Sequence, residues 1–174
     1  MNVLIWLALV LLILGMAAIV LSRRTRGDAG LPQGQIVYSD TSRWQRPERP
    51  LFSRRHQLAG KPDYVVREGR ALIPVEVKSS RAPTSGPRQG HVLQLAAYCL
   101  LVQETEGTRP AYGLIRYADQ TFRVDNTPEL GRALFSALDA MRSDMARGKS
   151  RRSHQDPARC RRCGVRAACK ESLA

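Results

Sequence analysis

The strongest constraint in this sequence is a short apolar segment, residues 71–79, that carries two opposite charges at Glu76 and Lys78. Its length and its β-branched residues predict a strand, in which residues two apart point to the same face. Glu76 and Lys78 therefore project together, whereas Val77 between them points into the core. Ordinary salt-bridged strands also contain such pairs, so the function depends on what lies beside this one.

A second strand is predicted at residues 63–67, separated from the first by a two-residue turn, and together they indicate a hairpin. The hairpin brings Asp63 beside Glu76 and Lys78. Two adjacent carboxylates repel each other unless a divalent cation lies between them, and Mg²⁺ prefers such oxygen ligands. A bound metal lowers the pKa of its water, and a nearby ammonium group orients that water or offsets charge on a phosphate. The pattern therefore predicts a metal-dependent hydrolytic site.

The rest of the domain alternates between helical and extended patterns. Thr127 is suited to cap the later of two helices, because threonine hydroxyls accept hydrogen bonds from the first helical turn. His91 is interpreted as a helix-start residue that faces solvent. The order of strands, helix, strands, helix predicts a mixed α/β domain. Beyond the hairpin, the predicted elements are a helix over residues 91–104, strands over 111–117 and 121–124, and a helix over 128–147.

The chain is strongly basic, with 28 Lys and Arg residues against 15 Asp and Glu residues and a formal net charge of +13. A surplus of this size indicates a polyanionic partner, which is either nucleic acid or an anionic membrane surface. Charge alone does not separate the two. The basic stretch at residues 36–55 is either a solvated loop or a track for a phosphate backbone.

Residues 3–21 form an uncharged apolar run. As a helix this run spans about 28 Å, close to the ~30 Å hydrocarbon thickness of a bilayer. Arginines follow it at once, which places the C-terminal side in the cytoplasm, and no basic residue precedes it. A retained inner-membrane anchor is therefore favoured over a cleaved signal peptide. The predicted boundaries are a transmembrane anchor at residues 1–22, a basic linker at 23–50, a folded domain at 51–150 and a basic cysteine-cluster tail at 151–174.

Three of the four cysteines, Cys160, Cys163 and Cys169, crowd the end of the chain. In a reducing compartment, clusters of this kind usually hold a metal rather than a disulfide. His154 lies six residues before Cys160 and is placed to complete a Cys₃His zinc site. The remaining cysteine, Cys99, falls on the apolar face of the first predicted helix and is interpreted as a buried core residue.

Pro62-Asp63, followed after a hairpin by Glu76-Val77-Lys78, resembles the motif of the PD-(D/E)XK nucleases. The resemblance covers residues 52–170. It implies a restriction-endonuclease-like mixed sheet flanked by helices. It also implies a nuclease that depends on Mg²⁺ or Mn²⁺ and acts on DNA.

Further motifs narrow the resemblance. Gln94 and Tyr98 resemble the Q-x-x-x-Y motif of the RecB-like branch, and on a helix residues four apart share a face. His56 matches the histidine that those enzymes use as a further metal ligand. The cysteine tail resembles the iron–sulfur motif of the CRISPR-associated RecB-like exonucleases. The resemblance implies that His56, Asp63, Glu76 and the Val77 carbonyl hold the metal, that Lys78 acts on the water or the phosphate, and that Gln94 and Tyr98 position the substrate strand.

One departure concerns the cysteines. The family's iron–sulfur cluster uses four, the first upstream of the catalytic histidine, and this chain has none before Cys99. The tail therefore holds a [4Fe–4S] cluster with another ligand, holds Zn²⁺, or holds no metal.

The function expected from the sequence is a membrane-anchored DNA exonuclease, with DNA and the membrane as partners. The alternative is a catalytically inactive, membrane-tethered module that binds nucleic acid. CRISPR adaptation and another DNA-processing role both remain open as the pathway.

Overall fold

The computed structural model describes residues 44–174 together with Trp6, Leu12, Ile13, Gln35 and Ile36. Most of the apolar run at residues 3–21 lies outside this set. Its three described residues are helical and have exposed side chains. Within the described part of the chain, no helix is both long enough and apolar enough to cross a bilayer. The membrane anchor therefore stays a prediction.

A mixed β-sheet forms the framework, as the sequence predicts. The described strands are β1 (Gln35–Ile36), β2 (Trp44–Gln45), β3 (Leu51–Ser53), β4 (Leu58–Gly60), β5 (Tyr64–Glu68), β6 (Ala71–Val77), β7 (Tyr112–Arg116) and β8 (Thr121–Asp125). Six of these described strands form one sheet in the order β1-β8-β7-β6-β5-β2, and β3 pairs with β4 in a separate hairpin. The β6–β7 pair is parallel, whereas its neighbours are antiparallel. The edge strands β1 and β2 fall in the segment assigned to the linker.

Two long helices accompany the sheet, α1 (Gln89–Glu106) and α2 (Pro128–Arg147). The first is two residues longer at each end than its apolar spacing predicts. It ends because Gly107 takes the left-handed conformation, with a φ of 70°, and its N–H donates to the Gln103 carbonyl. Thr127 caps α2 as predicted, since its Oγ1 accepts a hydrogen bond from Leu130 N–H at 3.2 Å.

Helix α1 lies very close to β7. A Cβ on Gly113 would sit 2.7 Å from Leu95 Cγ, so only glycine permits this approach. Because side chains alternate along β6, Glu76 and Lys78 lie on the face that carries α1. This packing decides which helix residues can reach the two charges.

The other face of the sheet carries its own apolar cluster. Val66, Ile73, Val75 and Leu114 are buried there, and Val77 packs against them as the alternation predicts. The partly buried residues that also pack against this cluster are Trp44, Tyr64, Ala71 and Tyr112.

The chain divides into two compact units, residues 1–135 and residues 136–174. The second unit contains the short helix α3 (Pro157–Arg161) and a 3-10 turn at Arg166–Ala168. Asp156 caps α3, because its side chain accepts a hydrogen bond from Ala158 N–H at 2.8 Å.

Candidate active site

Asp63 stands at the entrance to β5, directly beside the last residue of β6. Its Oδ2 accepts a hydrogen bond from the Val77 backbone N–H at 2.8 Å. The bond closes the open end of the hairpin and fixes the carboxylate next to the strand that carries Glu76. Asp63 is itself exposed, so its carboxylate is accessible to a ligand.

Glu76 and Lys78 lie together on the α1 side of the sheet. Glu76 is only 4% exposed. Lys78 Nζ donates to Glu76 Oε1 at 2.5 Å and to Gln94 Oε1 at 3.0 Å. The Lys78 backbone N–H donates to the Arg116 carbonyl at 2.7 Å, which extends the parallel pairing beyond β6 and holds the lysine in place.

Gln94 and Tyr98 come from adjacent turns of α1. Gln94 Nε2 donates to the Tyr98 hydroxyl at 2.8 Å. The hydroxyl also interacts with Glu76, which acts to lower the pKa of that carboxyl. Glu76, Lys78, Gln94 and Tyr98 therefore form a connected set of side chains, called here the active-site ring. Gly60 of β4 supports it, because a Cβ at this position would lie 2.9 Å from Tyr98 Cε1.

The pKa of Glu76 is raised. Burial is the largest cause, since it withdraws water from the charged form, and the negative charge of Asp63 acts in the same direction. Hydrogen bonds from Lys78 and Tyr98 oppose the rise. The two neighbouring carboxylates supply the hard oxygen donors that Mg²⁺ and Mn²⁺ accept. The chemistry of this donor set therefore fits a divalent cation.

His56 contacts Glu104, Phe135 and Ser53, which are not residues of the ring. Its Nε2 lies 3.9 Å from Glu104 Oε1, and its ring centroid lies 5.1 Å from that of Phe135. Its backbone N–H donates to Ser53 Oγ at 3.2 Å. In the part of the chain that the structure describes, no three His, Cys, Asp or Glu side chains are grouped closely enough to hold a metal. The role of His56 as a metal ligand stays a prediction.

Comparison with known proteins agrees with this geometry. The family model of the PD-(D/E)XK nuclease superfamily matches residues 22–170. The chain belongs to this superfamily. The match confirms the resemblance seen in the motif at Asp63 and Glu76-Val77-Lys78.

The individual relatives of this PD-(D/E)XK protein share limited sequence identity with it. The chain is 27% identical over 121 residues to the "CRISPR-associated exonuclease Cas4" of Francisella tularensis subsp. novicida (strain U112), which covers 70% of this chain and 60% of the relative. It thus matches less than two thirds of that protein's length. A solved structure described as "Crystal structure of SSO0001" aligns with a TM-score of 0.46 and 19% identity, covering 67% of this chain and 52% of that chain. That likeness carries no functional argument.

A cavity of about 520 Å³ adjoins Asp63 and is called here the Asp63 cavity. Two of its lining residues, Arg46 and Lys61, were not singled out by the sequence motifs. Lys61 could have been identified from its position in the sequence, because it directly precedes Pro62-Asp63. The described residues of the lining are Arg46, Lys61, Pro62, Asp63, Tyr64, Val77 and Ser79.

His91 lies in the first turn of α1, as predicted. It does not simply face solvent, and that part of the prediction is wrong. Its Nδ1 lies 2.8 Å from the hydroxyl of Tyr117, a residue that is 1% exposed. The pKa of His91 is lowered, first by burial and then by the positive charges of Lys78 and Arg88. The ring is therefore half-buried between the start of α1 and the end of β7.

The second unit gathers the three tail cysteines and His154 around one cavity of about 340 Å³, called here the cysteine cavity. Cys160 is buried, and its Sγ accepts a hydrogen bond from Leu173 N–H at 3.4 Å. Cys163 is exposed and Cys169 is half-buried. The four side chains share a wall without forming a coordination group in the described chain. Thiolate and imidazole groups facing one space are nevertheless the donors that zinc and iron–sulfur sites use.

Cys99 is a core residue, as predicted. It is 1% exposed, and burial raises the pKa of its thiol to about 12. A thiol in this environment stays protonated and is a poor metal ligand.

Proposed function

We propose that this chain is a metal-dependent DNA nuclease that degrades linear DNA as an exonuclease. The observation that carries the proposal is the active-site ring beside Asp63, in which a buried carboxylate, a lysine, a glutamine and a tyrosine are held by one another. Burying the charged pair Glu76 and Lys78 under α1 costs free energy, because both charges lose water. The fold of the sheet alone does not require such a pair.

In this proposal Asp63 and Glu76 hold Mg²⁺ or Mn²⁺, with the Val77 carbonyl and His56 as further ligands. The metal, when bound, supplies a water of lowered pKa and offsets the charge that develops on the scissile phosphate. Lys78 orients that water or neutralises the phosphate oxygens. Its two acceptors, on Glu76 and Gln94, hold the ammonium group at the correct place before substrate arrives.

Gln94 and Tyr98 act on the substrate strand. Their side chains are already joined at 2.8 Å, so neither loses much rotamer freedom when DNA binds. The choice of DNA and of exonuclease action rests on the likeness to a CRISPR-associated exonuclease and on a net charge of +13, which suits a polyanion. A role in CRISPR adaptation and a role in another DNA-processing pathway are both compatible with these features.

The test compares the purified full chain with its Glu76→Gln variant on linear DNA and on closed circular DNA, in Mn²⁺ and in EDTA. We expect Mn²⁺-dependent loss of linear DNA, intact circles, and a rate that falls by roughly 100-fold or more in Glu76→Gln. Glu106→Gln, the same change at an exposed helix end, is the matched control and keeps the wild-type rate.

Equal rates in wild type and Glu76→Gln would contradict the assignment. Cleavage of circular DNA would refute exonuclease action while leaving the nuclease in place. Tight DNA binding with no hydrolysis in Mn²⁺ would support instead the inactive nucleic-acid-binding module.

We further propose that residues 3–21 anchor the protein in the inner membrane, with the nuclease domain in the cytoplasm. Trp6, Leu12 and Ile13 are 68%, 62% and 61% exposed in a helical conformation, and apolar side chains gain about 25 cal/mol per Å² on leaving water. The protein should remain in the membrane fraction after high-salt and alkaline washing. Release by either wash would contradict the anchor.

The tail cysteines are proposed to hold Zn²⁺ with His154 as the fourth ligand, or a [4Fe–4S] cluster with another ligand. Both options use the wall of the cysteine cavity. An absorption spectrum with metal analysis of the full chain separates them, because only the cluster absorbs visible light. A colourless chain without zinc would contradict both.

A further inference from the structure

We propose that Arg46 and Lys61 form a phosphate subsite in the Asp63 cavity, which holds the DNA strand as it passes the active-site ring. This inference rests on the proposed nuclease function and names the residues that bind a phosphate of the DNA substrate. Val77 and Ser79, which line the cavity, alternate along the chain with Glu76 and Lys78 of the ring. Asp63 also lines the cavity and is hydrogen-bonded to Val77 at the open end of the hairpin.

The position of the cavity supports a strand path rather than an isolated pocket. Val77 lines the cavity, whereas Glu76 and Lys78 on either side of it point toward α1. A strand whose scissile phosphate lies at Glu76 and Asp63 therefore reaches the cavity by rounding the end of β6.

Both cations are held in place by neutral oxygens. Arg46 Nη2 donates to the Tyr64 hydroxyl at 3.1 Å, and its guanidinium carbon lies 5.2 Å from the centroid of the same ring. Lys61 Nζ donates to the Glu48 carbonyl at 3.3 Å. These contacts orient the two groups without cancelling their charge, which leaves them suited to a phosphate.

The size and charge of the cavity agree with a nucleotide. At about 520 Å³ it falls within the range of pockets that take small organic ligands, roughly 300–1,000 Å³. Among the described residues of its lining, Asp63 is the one acidic residue, against Arg46 and Lys61. A phosphate that enters is therefore drawn to the two cations and kept off the carboxylate that the metal needs.

The experiment measures the affinity of the full chain for end-labelled single-stranded DNA in EDTA across a salt series, in wild type and in Arg46→Gln/Lys61→Gln. Glutamine removes each charge and keeps a hydrogen-bonding side chain. We expect the slope of log affinity against log salt to fall by roughly 0.7 for each lost phosphate contact, about 1.4 for the pair. In Mn²⁺ the KM for DNA should rise several-fold while kcat stays near the wild-type value.

Arg70→Gln is the matched control. Arg70 sits at the turn of the hairpin, about 20 Å from Asp63 at ~3.3 Å per strand residue, and its loss should leave slope and KM unchanged. Should the double variant unfold, Lys61→Gln alone removes one exposed charge and should lower the slope by roughly 0.7.

An unchanged slope in a folded variant overturns the subsite, as does a fall in kcat at constant KM. A wild-type chain that does not bind DNA overturns it as well. Because binding is read without metal, a chain that binds with the expected slopes but never cleaves would refute the nuclease proposal while supporting the subsite.

Discussion

The active-site ring and the cysteine cavity hold their reactive groups in different ways. In the ring, Glu76, Lys78, Gln94 and Tyr98 are joined side chain to side chain by hydrogen bonds of 2.5, 3.0 and 2.8 Å. In the cysteine cavity, a thiol is held by the backbone instead, through a hydrogen bond from Leu173 N–H to Cys160 Sγ.

This difference in how the side chains are held indicates a different role for a metal in each region. The ring is ordered by the protein's own hydrogen bonds and by burial under α1, so a cation there would serve chemistry. The cysteine cavity is built on the short helix α3 and a 3-10 turn, and its cysteines sit on a half-exposed wall. A metal there would serve structure, because its ligand bonds would tie a small unit together.

The largest expected effect is on Lys78. Lys78→Ala removes the ammonium group that donates hydrogen bonds to Glu76 and Gln94. DNA cleavage in Mn²⁺ should therefore fall by roughly 100-fold or more. Initial rates on linear DNA measure it, with Lys149→Ala as the matched control in the second unit. A rate within a factor of two of wild type would mean that the ring is a structural ion pair.

Gly60→Ala should come next. The added methyl meets the Tyr98 ring, which must move and carry its hydroxyl away from Gln94 and Glu76. We expect cleavage to drop by roughly tenfold, since displacements of about 1 Å near a reacting group are costly. Gly131→Ala, on α2 with nothing within 4 Å of the added carbon, should retain activity. Equal activity in both variants would show that the ring tolerates a shifted Tyr98.

Tyr98→Phe isolates the hydroxyl. It removes one partner of Gln94 and one of Glu76 but keeps the aromatic packing against Gly60. One such hydrogen bond contributes about 0.5–1.5 kcal/mol, so cleavage should fall about fivefold. A loss of cleavage rate as large as that in Lys78→Ala would mean that the hydroxyl takes part in the chemical step.

Cys160→Ser should have the smallest effect on cleavage and the clearest effect on metal content. Metal analysis of the full chain should show that the tail metal is lost, while the Mn²⁺-dependent rate stays within about threefold of wild type, since the ring is held by its own bonds. Cys99→Ser is the matched control and should keep the metal while lowering stability, because it buries a hydroxyl in the core. Full metal content in Cys160→Ser would remove the basis for a tail site.

The sequence predicts most of the active-site ring because the periodicity of a strand and that of a helix determine which of its residues share a face. Alternation along β6 places Glu76 and Lys78 on one face, and the spacing of four on α1 places Gln94 above Tyr98. What decides their partners is the close approach of α1 to the sheet, which depends on Gly113. No local pattern reveals that contact.

The short elements were not predictable in the same way. Strands β2, β3 and β4 have two or three residues each, too few to display an alternation. His91 was wrongly assigned to solvent because its partner Tyr117 is 26 residues away. Arg46 likewise depends on Tyr64, 18 residues away, so its place beside Asp63 follows only from the pairing of β2 with β5.

The most direct test of the central claim is Mn²⁺ binding to the full chain, followed by electron paramagnetic resonance. Mn²⁺ prefers carboxylate oxygens over thiolates, so it reports on Asp63 and Glu76 rather than on the tail. We predict a bound-Mn²⁺ signal that persists in Cys160→Ser and disappears in the folded Asp63→Asn/Glu76→Gln double variant. An undiminished signal in that double variant would contradict the assignment of these two carboxylates as the metal site.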